Sequence, residues 1–230
     1  MTEIGVFEAI HSARSLRRLK PDPVPETLIT QVLDAAIRAS SGGNAQNWVF
    51  LVVRDPALRQ GLGAIYRKAS DIAAAMYAAR GRPAHLTEAQ FQRMMRGGAY
   101  LWDHMGEAPV IVIPCLRRPV VPPAEALAPA MQAQHEAELA YAARIRGASI
   151  YPAVQNIILA CRALGLGTTI TTNHLRCEDE VRALLGIPAE VDSFAMMPIG
   201  WPIDRFGPLT RRPLPEVAFA DRWGTAWPGS

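Results

Sequence analysis

At 230 residues and 25.1 kDa the chain is long enough to bury a sizeable core, and it is most simply organised as a single domain over residues 1–230. Half of its residues are hydrophobic and 20% charged, which excludes a disordered chain; a net charge of +3 is too small and too dispersed for a nucleic-acid surface, although a pI near 9.0 suits a bound phosphate. Cys115, Cys161 and Cys177 are odd in number and lack CxxC spacing, which points to buried thiols in a reducing compartment rather than a disulfide scaffold.

Ile4, Phe7 and Ile10 predict a short amphipathic first helix, and Glu3, Glu8 and His11 among these positions exclude a secretory h-region. Pro25 is placed for the first turn of a second helix whose apolar face is Leu28, Ile29, Val32, Leu33, Ala36 and Ile37. Trp48 to Val53 reads as a buried strand, and Arg54-Asp55-Pro56 ends it before a helix around Ala57 to Tyr66. Residues 70–105 are Ala-, Met- and Arg-rich and mostly helical, with a break at Gly81 to Pro83. A second strand runs from Pro109 to Pro114; the apolar stretch around it, to Leu116, is far too short to span a bilayer. The chain therefore reads as soluble and cytoplasmic, with no membrane partner.

Pro119, Pro122, Pro123 and Pro129 make residues 117–129 an irregular excursion, read as a lid. A long helix is expected over Ala130 to Arg146, then another from Pro152 to Leu164 with Ser149 near its start and Gly165 just past its end. Thr168 to Thr172 reads as a strand, residues 178–185 as a helix with an acidic first turn, and Ser193 to Ile199 as a further strand. The last thirty residues hold five prolines and three tryptophans, a composition that is stable only when packed on something. These alternating patterns indicate a mixed α/β architecture.

Two segments carry the chemistry. Arg14-Ser15-Leu16-Arg17-Arg18 offers cationic forks and a hydroxyl suited to a phosphate, and Arg211-Arg212 supplies a second basic fork from the far end. The loop Ser40-Ser41-Gly42-Gly43-Asn44-Ala45-Gln46-Asn47-Trp48 offers alternating donors and acceptors, with glycines that let backbone approach a flat ligand. Arginines alone are usually solvated and the loop alone is an ordinary turn; together they suit flavin mononucleotide (FMN). Other chemistries are excluded: there is no GxxxxGK[ST] or GxSxG, and Gly61-Leu62-Gly63 and Gly165-Leu166-Gly167 lack the third glycine of a dinucleotide fingerprint. The histidines show no HExxH spacing, so no metal site is expected, and His174 is expected to pack or cap.

On these segments, together with Gln155-Asn156, Leu164-Gly165-Leu166-Gly167, Leu184-Leu185-Gly186-Ile187-Pro188, Met197-Pro198-Ile199-Gly200-Trp201-Pro202 and Arg211-Arg212-Pro213-Leu214, the chain resembles the FMN-dependent nitroreductase family over nearly its whole length. The resemblance implies an α+β nitroreductase-like fold, a central, mostly antiparallel sheet wrapped by helices, in an intertwined homodimer with FMN at the interface. The tail at 201–230 would cross to the partner subunit. Arg14, Ser15 and Arg17, joined by Arg211 or Arg212, would hold the phosphate. Ser41, Asn44 and Gln46 would face the ribityl chain and ring edge, and Thr171, Thr172 and Asn173 the flavin ring. Ser149, Ile150 and Tyr151 would shape the substrate space.

The chain departs from the family pattern at Ala13, where an arginine is usual, with Arg18 as a substitute; at Ser40 and Asn47, where prolines are usual; and at Thr210, where a basic residue is usual. The implied activity is hydride transfer from NADH or NADPH through FMN to a small electron-poor acceptor: a nitroaromatic, quinone or enone. The cofactor carries the chemistry, and no catalytic side chain is assigned. The alternatives are a flavin-dependent dehalogenase, a flavin-consuming relative on the same fold, and a non-enzymatic flavin-binding module.

Overall fold

The uncharged run at residues 110–116 lies at the centre of the sheet, flanked by strands on both sides, in a computed structural model that describes residues 4–120 and 122–229. Helices α1 (Val6–Ser12) and α2 (Glu26–Ala36) precede strand β1 (Trp48–Val53). Helices α3 (Pro56–Arg80) and α4 (Glu88–His104) lead to β2 (Val110–Arg117). Then come α5 (Pro129–Gln132), α6 (His135–Ile145) and α7 (Ile150–Ala163), the short β3 (Gly167–Thr168), α8 (Glu178–Leu185), β4 (Val191–Ser193) and β5 (Met197–Gly200). The sheet order is β1-β2-β5-β3, with β4 also on β2, and every strand pairing is antiparallel. Glu3, Val121 and Ser230, which entered the readings of the N-terminus, the excursion and the tail, lie outside the described residues.

Alternation along β2 builds two cores. Val110, Val112 and Leu116 enter one with α2 and α7; Ile111, Ile113 and Cys115 enter the other with α3 and α8. The sheet is thus covered by helices on both faces, and its central strand is apolar in both directions for that reason. The three cysteines are all buried and unpaired. No helix among the described residues is long and apolar enough to cross a membrane.

Five elements differ from expectation. Pro25 stands just before α2 rather than in its first turn. Helix α3 continues past Tyr66 to Arg80, because its alanine-rich second half meets no breaker before Gly81, which takes φ 68°. The helix expected over 130–146 is split between α5 and α6. The strands expected at 168–172 and 193–199 are both interrupted, the second by a register slip. Cys115 faces Ser193 and Val112 faces Met197, so Phe194, Ala195 and Met196 oppose only Ile113 and Pro114. Pro114 has no N–H to give the ladder, and the extra residue bulges. Met196 instead pairs with Thr171, N–H to O at 2.9 and 3.1 Å. That pairing keeps the register of β3 on β5, Gly167 opposite Gly200 and Thr168 opposite Ile199, and Thr171 at this position meets Tyr66 of α3.

The excursion is tied at its base. Arg118, near its start, and Arg146, just past α6, both bind Asp192 of β4, whose side chain is only 7% exposed. Arg118 donates to both carboxylate oxygens at 2.6–2.9 Å, and Arg182 adds a contact at 3.1 Å.

His174 is fully buried, and neither ring nitrogen has a hydrogen-bond partner among the described residues. Burial drives its pKa from 6.5 down to about 4, against a smaller opposing influence from Glu178. The folded state thus keeps the ring neutral while the unfolded chain protonates near 6.5, so the stability this contributes is present above pH 6.5 and lost as pH falls towards 4. Thermal melts over that window should show a decline in the native protein and a flatter profile in His174→Leu; equal slopes would count against it.

Candidate functional site

The residues that follow α1 are extended and pinned to the sheet edge. Leu16 is buried and its N–H donates to the Thr168 carbonyl at 3.0 Å; the Lys20 N–H donates to Trp201 O at 2.8 Å. Gly167 permits this close approach, since a Cβ there would lie 2.8 Å from Leu19 and 3.0 Å from Pro202. Anchoring Leu16 in the core leaves Arg14, Ser15 and Arg17 bordering a cleft of about 420 Å³. Arg211 reaches the same cleft from the tail, and Arg93 from α4. No acidic side chain among the described residues lines it. A second cavity of about 350 Å³ shares Arg14, Ser15 and Arg211 and adds Gln155, Thr168 and Thr169. There Thr168 is 5% exposed and its hydroxyl has no partner among the described residues.

Arg17 is the half-buried member of the set. It sits under α4, where Gly97 leaves room: a Cβ on that residue would lie 3.5 Å from Arg17 Nη1. Burial lowers its pKa, the phenols of Tyr66 and Tyr77 oppose that, and Arg14 adds a smaller lowering influence. A guanidinium stays charged through such a shift. A desolvated cation without a carboxylate partner is poised for an external anion.

Behind Arg17 lies a cavity of about 360 Å³ walled by Tyr66, Tyr77, Met94, Met95 and Trp102, with Thr171, Thr172 and Asn173 at its polar edge. The Tyr66 hydroxyl is 2.9 Å from Thr171 Oγ1, which also accepts the Asn173 N–H at 3.3 Å. Burial raises the Tyr66 pKa, so this phenol stays protonated. Arg17 is the one charged side chain among the described residues lining this cavity.

The amide loop lies elsewhere. Ser41 Oγ accepts the Gln46 N–H at 3.1 Å, and Gln46 Nε2 donates to Asn44 Oδ1 at 3.1 Å. Asn44 and Gln46 hold left-handed backbone, φ 54° and 47°, which costs a non-glycine residue free energy and presents both side chains outward. Ser149 does not cap α7; its hydroxyl accepts the Gly42 N–H at 3.1 Å and fastens the loop to the start of that helix. Tyr151 is half-exposed against Phe194, whereas Ile150 is fully buried in the core and cannot line a substrate space. None of these residues borders the arginine cleft or the aromatic cavity.

The structure therefore gathers Arg14, Ser15, Arg17 and Arg211, sets Thr171–Asn173 behind them, and leaves Ser41, Asn44, Gln46 and Ser149 as a separate group. Arg212 turns away to Glu216, Nε to Oε2 2.9 Å, and lines the neighbouring groove; Arg18 pairs loosely with Asp204 at 3.8 Å. Sequence reasoning missed Arg93, Tyr66 and Thr168. None lies in a motif; the positions of α3 and α4 bring Tyr66 and Arg93 to these cavities, and the pairing of the N-terminal segment with β3 brings Thr168.

A sequence profile of the Nitroreductase family matches residues 10–201. The chain belongs to the nitroreductase family. It is 33% identical over 207 residues to an NADH dehydrogenase of Thermus thermophilus, covering 89% of this chain and 90% of that one. It is 26% identical to iodotyrosine deiodinase 1 of Rattus norvegicus over 85% of this chain and 61% of the deiodinase. A nitroreductase-like structure from Desulfovibrio desulfuricans in complex with FMN superposes with a TM-score of 0.62 at 24% identity, over 96% of this chain and 99% of that one, a likeness of fold.

Proposed function

We propose that this nitroreductase-family chain is an FMN-dependent oxidoreductase that passes reducing equivalents from NADH or NADPH to a flat, electron-poor acceptor. The observation that carries the reading is the cleft in which Arg14, Ser15 and Arg17 from one end of the chain and Arg211 from the other meet without a competing acid. That donor set fits a phosphate monoester, and the unpartnered Thr168 hydroxyl beside it fits a further polar ligand group. FMN bound there supplies two-electron chemistry between nicotinamide and acceptor. The arginines anchor and orient, Thr171–Asn173 are held rigid through Met196, and the apolar wall at Tyr77, Met94 and Trp102 excludes water.

The amide loop is the complementary half of the site and comes from a second copy of the chain. The accessible surface of 13854 Å² supports a homodimer, since about 10,300 Å² is expected of a compact monomer of this mass. Phe7 at 72% and Trp223 at 92% exposure are among the side chains that a partner would cover. The aromatic cavity favours a nitroarene or quinone over a halogenated amino acid. Its described lining offers no carboxylate to pair an ammonium group.

The test is optical. Purified protein supplied with FMN should turn yellow, bleach anaerobically with NADH or NADPH, and recover its colour on addition of a nitroarene or quinone. Recovery only with a halotyrosine would favour the deiodinase reading, and colour that neither nucleotide bleaches would favour a binding module.

A further inference from the structure

The basic cleft carries more charge than one mononucleotide phosphate uses. Four guanidiniums border it, those of Arg14, Arg17, Arg93 and Arg211. A phosphate monoester brings a charge of about −2 at neutral pH, which leaves roughly two positive charges unmatched. The Arg93 side chain makes no ion pair or hydrogen bond among the described residues, whereas Arg67, Arg82, Arg182 and Arg212 are all taken by acids.

Its position relates it to a longer ligand. The adjacent Met94 walls both the basic cleft and the aromatic cavity. In the other direction the cleft shares Leu86, Thr210 and Arg211 with a groove of about 1170 Å³ along the tail. A flat ring in the aromatic cavity, phosphates along the cleft and a second ring system in the groove describe a pyridine nucleotide.

We propose that Arg93 is a specificity residue that binds a phosphate group of the pyridine nucleotide, beside the phosphate of FMN. The assignment rests on the flavin reading above. The phosphate has two sources: the diphosphate common to NADH and NADPH, and the 2′-phosphate that only NADPH carries.

The experiment compares wild type, Arg93→Ala and Arg96→Ala, the last removing an equal charge one turn along α4 at a residue that borders none of these cavities. FMN affinity is titrated on each apoprotein. Dissociation constants for ADP-ribose and its 2′-phosphate, and KM for NADH and NADPH, are then measured on each FMN-loaded protein. Arg93→Ala should bind at least one probe roughly five- to ten-fold more weakly. Its FMN affinity should be unchanged, and Arg96→Ala should behave as wild type. A loss confined to the 2′-phosphorylated probe and NADPH assigns the 2′-phosphate; a loss for both probes and both coenzymes assigns the diphosphate. Unchanged nucleotide affinity overturns the proposal, as does weaker FMN binding in Arg93→Ala or an equal loss in Arg96→Ala. A wild-type protein that takes up no FMN, visible before any nucleotide is added, sinks the flavin reading itself and this assignment with it.

Discussion

Arg17→Ala should loosen FMN by roughly 1–3 kcal/mol, about 5- to 150-fold in the dissociation constant. The size of the effect follows from burial: Arg17 is shielded beneath α4 and beside Tyr66, so a phosphate would meet it in a medium less polar than water. Arg212→Ala removes an equal formal charge but one already held by Glu216, and should change the affinity little. Ala13→Arg should move it the other way, because Ala13 borders both cavities that Arg14 borders. Fluorescence titration of the apoproteins decides all three, and an unaltered Arg17→Ala protein would remove the phosphate assignment.

The second large effect concerns stability. Asp192→Ala leaves Arg118, Arg146 and Arg182 without their shared carboxylate, and should cost about 3 kcal/mol. In a chain of this length that is a fall in Tm of roughly 6–12 °C. Arg118 and Arg146 are about half-exposed and can re-solvate, which keeps the cost at the lower end for a buried pair. Because Arg118 anchors the start of the excursion and Arg146 the end of the helices that follow it, limited proteolysis between them should accelerate more than the melting shift alone explains. Asp204→Ala, which breaks only the exposed 3.8 Å contact with Arg18, serves as the comparison and should shift stability by less than about 1 kcal/mol. Equal proteolysis rates in the two variants would show that Asp192 does not secure the excursion.

Local patterns made much of this fold legible. The uncharged β-branched run became β2, the periodic face of α2 became half of one core, and Gly165 and Gly186 stop their helices in left-handed conformation, φ 74° and 65°. Each depends on neighbours a few residues away, so the chain order alone contains the information. The donors of the segment Arg14 to Arg17 were legible in the same way, since Arg14, Ser15 and Arg17 lie within four residues and carry those groups wherever they are placed.

What pairs across long sequence separations was not legible. Pro114 opposite an extra residue in the segment 194–196 between β4 and β5 produces the bulge, and only the register of β2 with β4 and β5 brings those residues together. The register of β3 with β5 likewise pairs Met196 with Thr171, whose hydroxyl meets Tyr66, 105 positions earlier. The same holds for the choice between Arg211 and Arg212: both carry the same charge in the same motif, and a local contact with Glu216 decides which of them remains free to face the cleft. Composition and period specify which groups are available; tertiary packing specifies which are desolvated, which are neutralised and which converge, because those depend on distances that the linear chain does not encode residue by residue.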